Sequence, residues 1–293
     1  MSVSVIIPFY NAQNYIQGAI DSALSQPEVT QIILVDDGSN DRSLEICQKL
    51  ALQNIRIIIL KHKNNQGRAA ARNSGLAEVK EPYFSFLDAD DFYLENRFKM
   101  ALKYLNTSSQ IDGVYESVKS HYENNRGADI YPDNTGLATE VDPKDLFKSL
   151  VLGSDHFSLI GCTFRSSSIK DNYFFDQTLN IGEDTDFIWR AARELSLIGI
   201  NSTPKVIRRV HGNNTMFNSE KLLRGKYRFY QKWLTSFDQY DLTDEEKRKI
   251  ISSYAYYKSK KLRNNLLQSM THRVYQVIEY ARRPSLWLGI LNK

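Results

Sequence analysis

Carboxylates cluster at two points where apolar segments of the sequence end. Asp36 and Asp37 follow one such segment, and Asp88, Asp90 and Asp91 follow another. Carboxylates one residue apart can reach the same side of a loop and share a hard cation, with phosphate oxygens and water completing its shell. The Asp36-Asp37 pair can instead accept hydrogen bonds from a base N–H or a ribose hydroxyl. The structural alternative for both clusters is a turn that caps the following helix.

A second set of acids and a histidine occur later in the chain. Glu183 and Asp184 stand where a helix is predicted to begin, and a carboxylate held there can act as a general base. The helix dipole also favours acids at this position without any catalytic role. His211 follows the basic pair Arg208-Arg209 and is a candidate for contact with phosphate or metal, although a lone histidine is more often structural.

The segment Pro8-Phe9-Tyr10-Asn11 follows the first predicted strand. A dinucleotide-binding fold places a glycine-rich phosphate turn at this point, but the segment contains no glycine, and the chain has no Walker A motif. Phosphate is therefore not cradled here. The two aromatic residues can lie beside a flat base, or they can be buried in an ordinary strand-to-helix turn.

Alternating apolar patterns predict the elements that position these residues. Buried-strand patterns cover 2–9, 32–35, 55–60 and 83–87, and helical patterns cover 11–24, 43–51 and 67–79. This alternation predicts a parallel sheet with helices on both faces, so α/β is the expected class. Ligands of such sheets bind beyond the carboxyl ends of the strands, where the polar clusters fall.

The second half of the chain has a less regular pattern. A helix is predicted over Glu183–Leu195, a strand over Val206–Val210 and a loop over Asn124–Thr139. From residue 219 onward the pattern is helical. Thr243 followed by Glu246 predicts a capping box at the start of a helix.

Composition is that of a globular protein. The 293 residues are 42% hydrophobic and 25% charged, which excludes a disordered or collagen-like chain. No run approaches the roughly 20 apolar residues of a membrane span. Cys47 and Cys162 form no zinc or CxxC spacing, and the first residues lack the basic region of a signal peptide, so a cytoplasmic location is expected.

Charge is unevenly distributed. Residues 219–293 contain 16 lysines and arginines against 7 acidic residues, whereas residues 1–218 contain 22 against 27. We therefore predict two parts, a catalytic domain at 1–218 and a basic, aromatic-rich helical extension at 219–293. The extension suggests an anionic partner such as a membrane surface.

The order and spacing of these motifs resemble the family 2 glycosyltransferases, which are inverting enzymes. The resemblance covers Ser2 to Asn218 and rests on the stretches VSVIIPFYNAQNYIQGAIDSALSQ, IILVDDGSNDRS, NQGRAAARNSGL, FLDADD, GCTFRSSSIKDNYFFDQTL, GEDTDFIWRAA and RRVHGNNT. It implies the GT-A fold, a Rossmann-like mixed sheet flanked by helices, here with a C-terminal helical extension.

The resemblance also implies a nucleotide-sugar site. In it, Pro8, Phe9 and Tyr10 line the nucleoside pocket. Asp37 contacts the uracil edge, and Asp36 supports the turn.

The same resemblance implies a diphosphate and metal site. Arg72 is expected beside the base and the diphosphate, and Asp88 is expected to contact ribose or sugar. Asp90 would coordinate Mg²⁺ or Mn²⁺, with His211 near the metal and the diphosphate.

The activity implied is transfer of a sugar from a UDP-sugar to an acceptor hydroxyl, in polysaccharide or glycan biosynthesis. Asp184 would be the general base, and Glu183 would bind the acceptor or support the loop. A nucleotidyltransferase is one alternative, although it should show an early glycine-rich phosphate loop. A nucleotide-sugar-binding protein without catalysis is the other.

The partners expected beyond the UDP-sugar donor follow from the basic extension. A glycan or lipid-linked acceptor and peripheral contact with the inner face of the cell membrane are the first interpretation. The alternative is a helical cap whose aromatic residues pack on the catalytic domain or on a second subunit, as in a homodimer. No nucleic acid is expected, because the chain has no recognisable motif for binding it.

Overall fold

The structure, a computed structural model, describes residues 1–122, 143–154, 157–169, 174–200, 202–212 and 219–265. It divides into two compact units, Met1–Leu150 with Asp155–Gly212, and Val151–Ser154 with Asn213–Lys293. The predicted loop at Asn124–Thr139 lies outside the described residues. Within those residues, no helix has an apolar stretch long enough to cross a bilayer.

The first half of the chain alternates between strands and helices as predicted. The strands are β1 (Val3–Phe9), β2 (Val29–Asp36), β3 (Ile57–Lys61) and β4 (Tyr83–Phe86). The helices between them are α1 (Ile16–Leu24), α2 (Ser43–Gln53) and α3 (Arg68–Ala77). The apolar runs of β1 and β2 are buried on both faces because helices cover both sides of the sheet.

The remaining elements up to residue 212 include short strands and helices. They are β5 (Phe92–Tyr93), α4 (Lys99–Thr107), β6 (Gly113–Glu116), β7 (Val118–Tyr122), α5 (Pro143–Leu152), β8 (Cys162–Arg165), α6 (Ser166–Ile169), α7 (Glu183–Glu194), β9 (Leu197–Ile200) and β10 (Val206–Val210). The predicted helix at Glu183 and the strand at Val206 are both present.

Seven of the described strands form the main sheet, in the order β3-β2-β1-β4-β8-β6-β9. Strands β3, β2, β1 and β4 are parallel, whereas β8 runs antiparallel to both β4 and β6. The parallel sheet predicted from the first half is therefore one part of a mixed sheet. The mixed sheet flanked by helices confirms the fold class.

A smaller sheet joins segments that are distant in sequence. Its order is β5-β10-β7, with β10 antiparallel to β5 and parallel to β7. Strand β5 begins directly after Asp91, and β10 ends directly before His211. This pairing therefore brings the acidic cluster and the histidine to one place.

Close packing of α3 on the main sheet requires a glycine. A Cβ placed on Gly75 would collide with the Ile6 side chain of β1 and would also approach Val35 Cγ2 at 3.3 Å. Only a residue without a side chain lets the helix lie this near. As a consequence, Arg72, about one turn earlier on α3, lies within hydrogen-bond distance of Asp88, which follows β4.

The second unit contains two helices, α8 (Ser219–Thr235) and α9 (Asp244–Asn265). The predicted capping box is present, since the Glu246 carboxylate accepts from the Thr243 N–H at 2.7 Å and the Thr243 hydroxyl accepts from the Glu246 N–H at 3.3 Å. Tyrosines stack between the two helices in the pairs Tyr227–Tyr254 and Tyr230–Tyr257. These helices confirm the first part of the helical extension predicted at 219–293, and residues 266–293 lie outside the described residues.

Candidate active site

The carboxyl ends of three adjacent strands form the floor of the candidate site. In the parallel register, Phe9 at the end of β1 lies opposite Asp36 at the end of β2, and Ile6 of β1 lies opposite Phe86 of β4. Asp37 and Asp88 follow these strand ends. The structure thus brings together motifs that are up to 80 residues apart in the chain.

Asp37 is held by the loop between β3 and α3. Its Oδ1 accepts from the Gln66 N–H at 2.8 Å and its Oδ2 accepts from the Gly67 N–H at 2.8 Å. The Nδ1 atom of His62 lies 2.8 Å from Oδ1. The side chain is therefore fixed in orientation at the position where the resemblance predicts contact with a base.

The neighbouring residues differ in exposure. The Asp36 Oδ1 accepts from the Ser39 N–H at 2.8 Å, which matches the expected support of the turn. Phe9 packs in the hydrophobic core and is 3% exposed, whereas Pro8 is half-buried and Tyr10 is 46% exposed. Of the three predicted pocket residues, Tyr10 is the one most available to a ligand.

Arg72 joins two of the predicted motifs through a buried ion-pair bridge. Its Nη1 lies 2.7 Å from Glu183 Oε1, and its Nη2 lies 2.9 Å from Asp88 Oδ1. Burial disfavours the charged guanidinium, but nearby Asp88, Glu183 and Asp184 outweigh it and raise the pKa of Arg72. The structure therefore places Arg72 between the end of β4 and the start of α7. Its predicted contact with the diphosphate stays a prediction.

The acidic cluster after β4 concentrates negative charge. Burial raises the pKa of Asp90, and the charge of Asp88 raises it further. Burial and the charges of Asp90 and Asp88 hold the pKa of Asp91 well above its usual range. Burial also acts to raise the pKa of Asp88, but Arg72 and Arg68 reverse this and the net shift is downward. Such repulsion among carboxylates is relieved when a cation binds.

His211 lies against this cluster. Its Nε2 is 3.0 Å from Asp90 Oδ2, and its ring stacks on Tyr15 with centroids 4.6 Å apart. The neighbouring Arg209 donates its backbone N–H to Asp91 Oδ1 at 2.8 Å. Asp90 and His211, both predicted to lie near a metal, are thus in direct contact, and their binding of a metal stays a prediction.

Carboxylate oxygen and imidazole nitrogen are suitable ligands for Mn²⁺, and carboxylate oxygen for Mg²⁺. Asp90 and His211, whose side chains meet at 3.0 Å, fit such an ion, and the nearby charge of Asp88 is one that the ion would offset. Across the part of the chain that the structure describes, no three His, Cys, Asp or Glu side chains are arranged to hold a metal by themselves. Other ligands, such as diphosphate oxygens, would have to complete the shell.

Glu183 and Asp184 begin α7 in different environments. Glu183 is 2% exposed and pairs with Arg72, whereas Asp184 is half-buried and accepts from the Thr185 N–H at 2.7 Å. Burial raises the pKa of Glu183, and the adjacent Asp184 charge adds to the shift while Arg72 opposes it. Asp184 is therefore the more accessible of the two carboxylates.

Several supporting residues were missed by the sequence interpretation. They are His62 beside Asp37, Tyr15 beneath His211, and Tyr93, whose hydroxyl donates to the Phe86 carbonyl at 3.0 Å. Burial raises the pKa of Tyr93 to about 12. His62 comes two residues after the strand predicted at 55–60, and this position near a strand end was a usable signal. Tyr15 and Tyr93 carried no such signal, because their partners lie far away in the sequence.

Comparison with known proteins agrees with this fold and with the predicted family. The model of the family "Glycosyl transferase family 2" matches residues 4–165. An uncharacterized glycosyltransferase of Rickettsia typhi is 33% identical over 225 residues, which are 73% of this chain and 65% of that protein. The chain belongs to glycosyl transferase family 2, as the motifs predicted.

A second relative carries a biosynthetic name. The minor teichoic acid biosynthesis protein GgaA of Bacillus subtilis is 31% identical over 200 residues, covering 63% of this chain and 42% of that protein. The chain thus spans from less than half to about two thirds of the length of these relatives.

Solved structures share the fold. TarS 1–349 of S. aureus in complex with UDP-GlcNAc superimposes with a TM-score of 0.69 at 19% identity, covering 96% of this chain and 87% of that one. The mannosyltransferase PcManGT of Pyrobaculum calidifontis, in complex with GDP-Man and Mn²⁺, gives a TM-score of 0.60 at 14% identity over 97% of this chain and 80% of that one. These likenesses confirm the GT-A fold.

Proposed function

We propose that this chain is an inverting, metal-dependent glycosyltransferase that moves a sugar from a UDP-sugar to an acceptor hydroxyl. The observation that carries the proposal is the bridge from Arg72 to both Asp88 and Glu183. It holds the carboxylates after β4, which suit sugar hydroxyls and a divalent cation, next to the start of α7, which bears Asp184.

The donor would bind along the carboxyl ends of β1, β2 and β4. Three donors fix the Asp37 carboxylate. Asp37 would contact the uracil edge, and Tyr10 would lie beside the nucleoside. Support for a UDP-sugar comes from TarS, which was solved with UDP-GlcNAc and shares this fold. Asp88, whose side chain is 40% exposed, is available to ribose or sugar hydroxyls.

Asp90 and His211 would hold Mg²⁺ or Mn²⁺ together with diphosphate oxygens. A divalent cation neutralises the negative charge that grows on a departing diphosphate. Arg72 does not need to neutralise the diphosphate directly, because its two Nη groups already pair with Asp88 and Glu183.

Asp184 would take the proton of the acceptor hydroxyl. It stands in the first turn of α7, is partly accessible, and is supported by the buried pair of Glu183 and Arg72. A single displacement with a positioned base inverts the anomeric centre and requires no covalent enzyme intermediate. Glu183 then acts as support for the base.

The acceptor we propose is a glycan or a teichoic acid. Its support is the sequence relation to GgaA, whose name places that protein in minor teichoic acid biosynthesis.

The test is to incubate the purified chain with a panel of UDP-sugars, with Mn²⁺, Mg²⁺ or EDTA, and to measure UDP release with and without acceptor. We expect slow, metal-dependent release from one UDP-sugar, accelerated by acceptor. Release of pyrophosphate from a sugar phosphate and UTP would instead indicate a nucleotidyltransferase. Tight UDP-sugar binding without any release would indicate a binding protein.

A further inference from the structure

A serine and a histidine form a continuous hydrogen-bonded chain with Asp37, the residue expected to contact the base. The Ser74 Oγ lies 2.9 Å from His62 Nε2, and His62 Nδ1 lies 2.8 Å from Asp37 Oδ1. The His62 and Asp37 side chains are 11% and 5% exposed. The proposed function uses His62 only as one of the donors that fix Asp37, and it does not use Ser74.

The carboxylate contact determines where the imidazole carries its proton. A neutral histidine has one donor and one acceptor nitrogen, and a carboxylate only accepts. The Nδ1 atom beside Asp37 is therefore the donor, and the Ser74 hydroxyl, which can donate or accept, pairs with Nε2. Ser74 thus holds the imidazole ring in the orientation in which Nδ1 faces Asp37.

The hydrogen bonds of Asp37 can be counted. A carboxylate has about four acceptor positions, two on each oxygen. Among the described residues, the Gln66 N–H and His62 occupy both positions of Oδ1, and the Gly67 N–H occupies one position of Oδ2. One acceptor position on Oδ2 is left for a ligand.

We propose that His62 is a specificity-determining residue that limits Asp37 to one hydrogen bond with the nucleobase and so selects a base presenting a single N–H donor. This inference rests on the proposed function. Uracil presents one such donor, N3–H, between two carbonyls. Guanine presents two adjacent donors, N1–H and N2–H, which pair with a carboxylate through both of its oxygens. With Oδ1 already saturated, one guanine donor remains unpaired, and an unpaired polar group at a buried site is costly.

The backbone around His62 keeps this arrangement when the side chain changes. The His62 N–H donates to the Asp36 carbonyl at 2.9 Å, and the two loop amides hold Asp37 independently of the imidazole. Gly38, at φ +76°, lies so near Asn64 that an added Cβ would be 2.8 Å from its carbonyl carbon. The β3–α3 loop is therefore anchored to the β2 turn by main-chain contacts.

Two substitutions separate the roles of the two ring nitrogens. In His62→Asn, the side-chain amide nitrogen can occupy the place of Nδ1 and still donate to Asp37. In His62→Gln, the longer side chain reaches toward Ser74 and leaves Oδ1 with a vacant acceptor position. The pair is matched in chemistry and differs by one methylene.

Inosine and guanosine diphosphates provide matched ligands. Both have the purine ring and an N1–H donor, but only guanine has the second donor on N2. We expect the wild-type chain, titrated calorimetrically with Mn²⁺ present, to bind UDP most tightly and IDP more tightly than GDP. His62→Asn should keep this order. His62→Gln should improve GDP relative to IDP by about tenfold, the gain of one hydrogen bond to a charged group.

Three results would overturn the proposal. They are a wild-type preference for GDP over IDP, an unchanged ratio in His62→Gln, and no binding of either purine nucleotide to wild type and variant, which would mean that size excludes purines. The wild-type comparison does not depend on how the variants fold, and thermal melts verify the variants. A chain that binds UDP but never releases it from UDP-sugars would contradict the proposed function while leaving this selectivity intact.

Discussion

At the scale of single residues, burial separates groups of the same chemical type. Glu183 and Asp184 are neighbours, yet Glu183 is buried against Arg72 and Asp184 is accessible. A carboxylate paired with a guanidinium keeps its charge in a structural contact, whereas an accessible one can accept a proton from a substrate. The roles proposed for the two acids follow from this difference.

We expect Asp184→Asn to lower sugar transfer by roughly two to four orders of magnitude, the usual contribution of a general base. The amide is similar in shape, so the affinity for UDP with Mn²⁺ should be unchanged. Steady-state rates and calorimetry measure the two quantities. An equal loss of UDP affinity would assign Asp184 a structural role.

Asp90→Ala tests the metal assignment. We expect it to abolish metal-dependent UDP binding and turnover while the midpoint of thermal unfolding stays near that of the wild type. The variant loses the hydrogen bond to His211, but it also removes a charge that raises the pKa of buried Asp91. Normal Mn²⁺-dependent activity in this variant would show that the ion binds elsewhere.

At the scale of elements, contacts between distant segments build the site. The pairing of β5 with β10 brings His211 to Asp90, and the close packing of α3 brings Arg72 to Asp88 and Glu183. Both contacts involve the acidic segment that follows β4, which meets the residue after β10 in one case and helix α3 in the other. The geometry of the site therefore depends on how the elements pack.

We expect Arg72→Gln to reduce the free energy of unfolding by about 3–5 kcal/mol, because it leaves Glu183 buried without its charge partner. Transfer should fall as well, since the start of α7 loses its support. Replacing both Arg72 and Glu183 by leucine should recover most of the stability but none of the activity. Urea denaturation and UDP release measure the two effects.

The matched control for this prediction is an exposed ion pair. Arg224→Gln breaks the ion pair with Glu220, in which the side chains of Arg224 and Glu220 are 65% and 62% exposed. Surface pairs of this kind contribute about 0–1 kcal/mol to stability. A comparable loss of unfolding free energy in both variants would mean that the buried bridge of Arg72 stabilises the fold no more than an exposed ion pair does.

At the scale of the whole molecule, charge and aromatic residues of the basic extension have separate explanations. Several tyrosines stack between α8 and α9, and Lys258 and Lys261 lie over tyrosine rings. This supports packing as the role of those aromatic residues. Packing between the helices does not account for the exposed cations near the start of α9, such as Arg248 and Lys249.

We therefore keep the prediction of weak, salt-sensitive binding to anionic membranes through the extension. Each basic residue near such a surface contributes about 1 kcal/mol. Neutralising Lys247, Arg248 and Lys249 to glutamine should weaken cosedimentation with anionic vesicles at low salt by roughly tenfold or more.

The control for the vesicle experiment removes an equal number of positive charges from the first unit. Lys80, Lys99 and Lys103 are exposed in the first unit, and changing them to glutamine should have a smaller effect. Equal losses in the two triple variants, or no cosedimentation of the wild type, would leave the extension as a packing or dimerisation element.

The sequence by itself determined the family, the alternation of strands and helices, and which carboxylates would collect at the strand ends. These features are local, because apolar periodicity and adjacent polar residues can be recognised within a short segment. The capping box at Thr243 is of the same kind, since its two partners are three residues apart.

The antiparallel β8, the small sheet and the contacts of Arg72 and His62 were decided only by the tertiary structure. Arg72 meets Glu183 across 111 positions, and His211 meets Asp90 across 121. Partners so far apart leave no local pattern, because their contact depends on strand order and helix packing and not on spacing along the chain. For this reason the sequence could name the acids of the site, whereas the contact between His62 and Asp37 is visible only in the structure.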